Sequence, residues 1–211
     1  MRSILSLPLA NLKRRLAAIS RRAANKDGAA AVEFAMLLPI LITLFFGVVE
    51  TSLALLCRAD VSIMASTVAD LISQSDVLAT ADLSNVYNAS GTILYPYYDP
   101  SVAGSGKPTI RITSVIWDAV GQSATVGKVA WTCTQSGSGT LAPSSRTVGN
   151  TMTLPQALLT AGSSVVVSEI AYNYASATTK VIAGPINFTN NWYTRPRRVA
   201  QIPSPTGGCP S

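Results

Sequence analysis

The stretch from Gly28 to Glu50 reads GAAAVEFAMLLPILITLFFGVVE and is a long apolar run. The residues from Phe34 to Val49 carry no charge. Counted from Ala29 to Cys57, such a run forms a helix that can cross roughly 30 Å of hydrocarbon at about 1.5 Å per residue. No second long apolar run follows, so the sequence predicts a single membrane crossing.

The positive charge of the chain lies before this run. The formal net charge is +6 over 211 residues, and the segment that precedes Gly28 holds seven Lys and Arg against one acid, Asp27. Positive charge immediately before a hydrophobic span keeps that side in the cytoplasm, so the rest of the chain is expected in the periplasm. A nucleic-acid surface needs Lys and Arg clustered on the folded part. Only the small cluster Arg195-Pro-Arg197-Arg198 lies there, and nucleic-acid binding is therefore not expected.

Glu33 stands where a membrane-spanning helix should be apolar. A carboxylate in a spanning helix costs roughly 2.5–3.5 kcal/mol at the bilayer centre and less near the interface, so such groups are usually paired. Small residues, Gly28 to Ala31, precede the apolar core, whereas the cleavage site of a secretory signal follows it. A cut after Gly28 would give Ala29 a free ammonium, four residues from Glu33 on one helix face. That amine could pair with its own Glu33 or with that of a neighbouring subunit.

The order of these residues resembles the processing site of type IV prepilins: a glycine, four small or apolar residues, Glu33, Phe34 and a long apolar helix. The full stretch is similar, more narrowly, to the TadE-like minor pseudopilins of tight-adherence (Flp) pilus systems. In that family an Ala-rich start, Val-Glu-Phe, an early Leu-Pro and a closing Gly-x-x-Glu recur. The resemblance implies that a prepilin peptidase cuts between Gly28 and Ala29, and that the protein helps to assemble or initiate a thin pilus.

The resemblance also implies partners and a location. The expected partners are the prepilin peptidase and other pilin and pseudopilin subunits of the pilus machine. The expected location is the bacterial inner membrane, as a single-pass protein, or the pilus itself. Neither a cofactor nor a small-molecule substrate is implied.

Other interpretations stay open at this point. An uncleaved, signal-anchored envelope protein that binds peptidoglycan or another surface partner would keep residues 1–28. A type II secretion pseudopilin would lack the early Leu-Pro and Gly-x-x-Glu pattern. A membrane-bound enzyme is disfavoured because the chain has no histidine, which removes Ser-His-Asp and Cys-His arrangements and almost all zinc sites. We therefore assign no catalytic residue and no metal ligand.

The chain divides into four predicted parts. These are a basic cytoplasmic leader (1–28), a transmembrane helix (29–57), a helical extension in the periplasm (58–90) and a small β-rich periplasmic domain (91–211). The long helix is expected to continue to about Ala79. Its outer part carries an apolar stripe at heptad spacing, which either forms a seam with neighbouring helices or packs on its own domain: Ala54, Cys57, Val61, Met64, Val68, Leu71, Ser75 and Leu78.

Beyond the helix the predicted fold class is α+β with an antiparallel sheet. A short helix is expected over residues 81–88, with Thr80 as its N-cap. Runs rich in Thr, Val, Ile and Trp predict a hairpin formed by 109–118 and 123–134, a strong strand over 163–176 and a further strand over 186–195. The Ser/Gly-rich segment 135–150 is expected to be a loop, and a short helix is expected from Thr153 to Gly162.

Two segments of this domain also resemble the outer part of TadE/TadG-like proteins. The first is Ser-Val-x-x-Asp-x-x-Gly, from Ser114 through Asp118 to Gly121. The second is Val-x-Glu-x-x-Tyr-x-Tyr, from Val167 through Glu169 to Tyr174.

The cysteines suit an oxidising exterior. We predict that Cys133, at the end of a strand, pairs with Cys209 in the C-terminal tail. Such a bridge would close a loop of about 75 residues, which is worth roughly 4 kcal/mol in the chain-entropy model. It would also order a Gly/Pro-rich tail. Cys57 is expected to be a small packing residue, with an inter-subunit bridge as the alternative.

Overall fold

The computed structural model describes residues 27–98, 106–118, 120–121, 123–135, 141–155, 157–176 and 181–209. The basic leader up to Lys26 lies outside the described residues. The described chain has a long N-terminal helix followed by a small antiparallel sheet domain. This confirms the predicted α+β class.

The first helix, α1, runs from Asp27 to Ser73. The chain divides into two compact units between Val49 and Glu50. The helix ends before the predicted Ala79, because the next pair of helical hydrogen-bonding groups is used elsewhere: the Ser73 carbonyl accepts from the Arg197 N–H at 2.8 Å, and the Val77 N–H donates to Asp76 Oδ1 at 3.0 Å.

The apolar stripe of α1 packs on the protein's own domain. Ala54, Cys57, Val61, Met64 and Val68 are all buried in its core. The heptad pattern fails at the next step, where Leu71 is 40% exposed and Ile72 is fully buried. A straight helix repeats every 3.6 residues and drifts by roughly 20° per heptad from a 3.5-residue repeat. The stripe therefore moves on to Ile72, as expected for a helix that lies on a domain instead of forming a heptad seam.

The second helix, α2, runs from Thr80 to Gly91 and is followed by a 3-10 turn, Thr92–Leu94. Its N-cap is Ala79 and not the predicted Thr80. Asp82 explains the shift, because its carboxylate accepts a hydrogen bond from the Ala79 N–H at 2.9 Å and favours the positive end of the helix dipole.

Six strands form one antiparallel sheet. Their order is β3-β2-β1-β5-β6, and β4 also pairs with β2. The predicted hairpin is β1 with β2, interrupted by a register shift between Ser114 and Val115. The strands are β1 (Thr109–Trp117), β2 (Val126–Gln135), β3 (Leu141–Ala142), β4 (Thr151–Thr153), β5 (Ser164–Tyr174) and β6 (Ile186–Thr194).

Two predictions between β2 and β5 are wrong. The expected loop over 135–150 contains β3, which pairs with Thr134 and Gln135. The expected helix from Thr153 to Gly162 does not form. Its Leu154 and Leu159 N–H groups donate instead to the carbonyls of Thr125 and Ala124, at 2.6 and 3.1 Å. Backbone donors that are used across the sheet cannot close helical turns.

The sheet is buried on both faces. Val166 belongs to the main core with α1 and α2, whereas Val165 and Val167 belong to a second apolar cluster. Since neighbouring residues of a strand point to opposite faces, the two clusters lie on opposite sides of β5. The second cluster consists of Val115, Val129, Met152, Leu154, Leu159, Val165 and Val167.

Candidate functional site

The predicted processing segment forms the first turns of α1. Gly28, Ala29, Glu33 and Phe34 are all helical and exposed. A β-carbon built on Gly28 would meet no atom within 4 Å. The peptide bond between Gly28 and Ala29 is therefore not covered by any described part of the chain.

Glu33 has no internal partner in the part of the chain that the structure describes. No ion pair there includes its carboxylate, and its side chain is exposed. Ala29 lies four residues earlier on the same helix, so a group on its nitrogen would lie near the same face. The Glu33 carboxylate is therefore exposed and has no ion-pair partner among the described residues.

The helix that follows is apolar around its whole circumference. One helix of the described residues, Gly28–Ser73, is long and apolar enough to cross a membrane, with a mean hydropathy of 2.4 in its most apolar window. It passes through Pro39, whose carbonyl accepts a hydrogen bond from Thr43 Oγ1 at 2.9 Å. A single N-terminal apolar helix of this kind is compatible with a single-pass anchor. Its exposed large side chains are Val32, Phe34, Met36, Leu37, Leu38, Ile40, Leu41, Ile42, Leu44, Phe45 and Val48.

Glu50 ends this apolar run and is fully buried. Its Oε2 accepts hydrogen bonds from the backbone N–H groups of Val181 and Ile182, at 3.1 and 2.6 Å. These donors lie on the connection between β5 and β6, so one carboxylate links the helix to that connection. The sequence pattern singles out Glu50 only as the last residue of Gly-x-x-Glu. A carboxylate directly after sixteen uncharged residues was the available signal.

A second charged group lies on the sheet face that carries Glu169. The Glu169 Oε2 atom accepts from Arg146 Nε at 3.0 Å and from Arg111 Nη1 at 3.4 Å, and its Oε1 atom also bonds Arg146. The bond to Glu169 raises the pKa of Arg146. The sequence pattern singles out Glu169 but neither arginine, because Arg111 lies opposite Glu169 only through the β1–β5 register.

The other residues of the two outer motifs have structural roles. The Asp118 carboxylate accepts from the Val120 N–H at 3.1 Å and pairs with Lys128 Nζ at 3.2 Å. The hydrogen bond from the Val120 N–H is the larger cause that lowers the pKa of Asp118, and the hydrogen bond from Lys128 lowers it further. Tyr172 Oη donates to the Tyr97 carbonyl at 2.7 Å, and burial raises the pKa of this tyrosine to about 12.

Cys133 and Cys209 are joined by a disulfide, with Cα atoms 5.3 Å apart and a sequence separation of 76. The tail is held by further contacts along its length. Trp131 Nε1 donates to the Ile202 carbonyl at 2.9 Å, and the Thr206 N–H donates to the Leu78 carbonyl at 2.8 Å. Cys57 is a free and buried cysteine, which is the packing role expected of it.

No group of three or more His, Cys, Asp or Glu side chains in the described ranges could hold a metal ion. The Glu169 and Asp118 carboxylates are paired with cationic side chains within the fold. The candidate functional site is therefore the exposed N-terminal half of α1, and Glu50 marks where the folded domain begins.

One comparison with known proteins gives a match. The family described as TadE-like protein matches residues 28–70, which cover nearly all of α1. Curated proteins and solved structures give no match. The match confirms the resemblance drawn from the sequence: over residues 28–70 the chain is similar to TadE-like proteins.

Proposed function

We propose that this protein is a pseudopilin-type membrane component that helps to assemble or initiate a tight-adherence (Flp) pilus. A prepilin peptidase cuts it between Gly28 and Ala29. The mature α1 then remains in the inner membrane or enters the filament, and the sheet domain faces the periplasm. The role is structural and not catalytic.

The observation that carries this proposal is the exposed start of α1. Gly28 has no covering side chain, Glu33 has no partner among the described residues, and the following turns are apolar on every side. A soluble protein rarely leaves such a large apolar surface uncovered. Lipid or the helices of other subunits cover this surface in the proposed function.

The charge pair gives the assembly its register. After cleavage the Ala29 ammonium and the Glu33 carboxylate are both costly in hydrocarbon when they are alone, and less costly when they are paired. A neighbouring subunit can supply either group to a helix bundle that is otherwise apolar. One axial position then satisfies both charges, as a buried polar residue sets the register of a coiled coil.

The first test is the N-terminus of the mature protein. Intact-mass and N-terminal analysis of the full chain, extracted from membranes of its native cells, should find a chain that starts at Ala29. Gly28→Leu should leave residues 1–28 attached, whereas Gly47→Leu, a matched glycine change later in the same helix, should not affect cutting. A wild-type chain that keeps residues 1–28 in cells with an active peptidase contradicts the proposal and favours an uncleaved signal anchor.

The second test separates cutting from assembly. Glu33→Gln keeps the size of the side chain but removes its charge, so we expect processed protein and a large loss of surface pili. Glu33→Asp keeps the charge and should retain more pili than Glu33→Gln. Normal piliation in the Glu33→Gln strain would show that the charge pair is not needed.

A further inference from the structure

The strand β6 forms one end of the sheet. It pairs with β5 through nine consecutive positions, from Thr194 opposite Val166 to Ile186 opposite Tyr174. No second strand pairs with it in the described sheet. No hydrogen bond between backbone groups outside the ladders involves residues 186–194 in the described ranges. Its outer edge therefore presents a row of backbone donors and acceptors.

This edge lacks the features that usually prevent strand pairing. Edge strands are commonly kept short, or carry charged residues, Pro or a bulge. The sequence of β6 is INFTNNWYT, which has no charged residue, no Pro and no Gly. Its register with β5 runs without interruption. The opposite edge of the sheet is blunted, because β3 and β4 are only two and three residues long.

A hollow lies beside this edge on the α1 side of the sheet. Its volume is about 470 Å³, which is enough for a large side chain. Trp192 borders it and is 45% exposed, which is high for a tryptophan in a sheet. An ion pair between Asp70 and Arg197 closes one side. The lining residues are Ser66, Thr67, Asp70, Leu71, Trp192, Thr194 and Arg197.

A second copy of β6 does not fit this edge in one membrane. Every ladder of this sheet is antiparallel, and two antiparallel β6 strands would be related by a twofold axis perpendicular to the sheet. The outer part of α1 packs along one face of that sheet, so the axis would reverse its direction in the second copy. Two helices that enter the same membrane from the same side cannot run in opposite directions.

We propose that β6 is a docking edge for an extended segment of a different extracytoplasmic protein, which adds a seventh strand to the sheet. The inference rests on the proposed function for its membrane orientation. Main-chain hydrogen bonds supply the affinity, and side chains at alternate positions supply the specificity. An apolar or aromatic residue of the partner strand occupies the hollow beside Trp192. On the other face the exposed Asn187, Thr189 and Asn191 fit short polar residues, and a charged segment is not favoured.

The test is photo-crosslinking from the edge, with the full chain in native membranes. A photoreactive amino acid placed at Thr189 or Asn191 should link to one extended segment of one partner protein. Moving the photoreactive residue by two positions should move the linked partner residue by two. Asn173 serves as the control position, because it is exposed but lies on β5, opposite Asn187 in the ladder. A photoreactive amino acid at Asn173 should therefore give no crosslink whose partner residue shifts by two positions.

A matched pair of variants tests the edge itself. Asn191→Lys places a charge on the edge and should lower crosslinking from Thr189 roughly tenfold, or about 1.4 kcal/mol. Asn173→Lys adds the same charge within the sheet and should leave the yield unchanged. Both variants should unfold at the same temperature as the wild type. A lower crosslinking yield is then due to disrupted pairing at the edge of β6 and not to unfolding of the domain.

Each other outcome overturns the proposal. Links to β6 of a second copy would show self-pairing, and links that scatter over many proteins or do not shift with the photoreactive residue would show chance contact. Absence of any link would show that the edge is free. This result is independent of processing: an uncut chain that still crosslinks removes only the proposed function, and a processed chain that does not crosslink removes only the docking edge.

Discussion

Glu50 and Ile182 are 132 residues apart in sequence, and the Ile182 N–H donates to the Glu50 carboxylate at 2.6 Å. The carboxylate is fully buried, and Glu50 is the first residue of the compact unit that contains the sheet domain. A buried carboxylate is stabilised only where it accepts good hydrogen bonds or meets a cation. Glu33 directly precedes the apolar run, and Glu50 directly follows it. Glu50 nevertheless has a different role from Glu33. Glu50 anchors the helix within the domain, whereas Glu33 is exposed.

Replacement of Glu50 should destabilise the sheet domain. We expect Glu50→Ala to lower the free energy of unfolding by about 1.5–3 kcal/mol, because hydrogen bonds to a charged acceptor are lost. Denaturant unfolding of the full chain in detergent measures this change. Glu33→Ala is the matched control and should change the unfolding free energy very little, since Glu33 is exposed. Equal stability of the wild type and Glu50→Ala would refute the anchoring role.

The course of α1 over the domain gives a second prediction. Ile72 is fully buried and Leu71 is 40% exposed. Ile72→Ala should lower the free energy of unfolding by about 2–5 kcal/mol through lost burial and a cavity, and Leu71→Ala by less than about 1 kcal/mol. The same unfolding experiment compares them. The reverse order would mean that the heptad stripe, with Leu71 inward, describes the helix in solution.

Local sequence signals predicted most of the fold. An apolar run predicts α1, and runs rich in Thr, Val, Ile and aromatic residues predict β1, β2, β5 and β6, because such residues favour burial in a membrane helix or a sheet. The strands β3 and β4 could not be predicted. They are only two and three residues long, and the edge of β2 holds them in place, not their own propensity. Hydrogen bonds to residues distant in sequence also prevent the helix expected from Thr153 to Gly162.

The same difference between local and long-range signals applies to the charged and motif residues. Gly28, Ala29, Glu33 and Phe34 form a contiguous motif, so a sequence pattern is enough to single them out. Glu50 and Glu169 depend on partners more than twenty residues away, such as Arg146, and those partners become visible only when the register is known. A single sequence identifies such a carboxylate but not the groups that it binds.

The disulfide should contribute strongly to stability, because it closes a long loop. With a sequence separation of 76 between Cys133 and Cys209, the chain-entropy model gives about 4 kcal/mol. Cys133→Ala with Cys209→Ala should lower the unfolding free energy by a large part of this amount. Alkylation of the denatured chain checks the bond itself: only Cys57 should react before reduction, and all three cysteines after it. Three reactive cysteines before reduction in protein from native membranes would contradict the pairing.

Alkaline pH should unfold the sheet domain through its buried tyrosines. Burial raises the pKa of Tyr172 to about 12, above the value of about 10 for an unfolded tyrosine. A group whose pKa is raised on folding stabilises the native state fully below the unfolded pKa and loses this contribution as pH rises through the folded pKa. The contribution of Tyr172 to stability should therefore be constant below about pH 10 and fall between about pH 10 and 12. Denaturant unfolding at several pH values measures the decline.

The variant Tyr172→Phe should be less stable at neutral pH by about 0.5–1.5 kcal/mol, because the hydrogen bond to the Tyr97 carbonyl is lost. It should nevertheless lose less stability than the wild type between about pH 10 and 12, since a phenyl ring does not ionise. Tyr95→Phe is the matched control, because Tyr95 is exposed and its replacement should leave the pH dependence unchanged. Parallel curves for the wild type and Tyr172→Phe would show that this hydroxyl does not couple ionisation to folding.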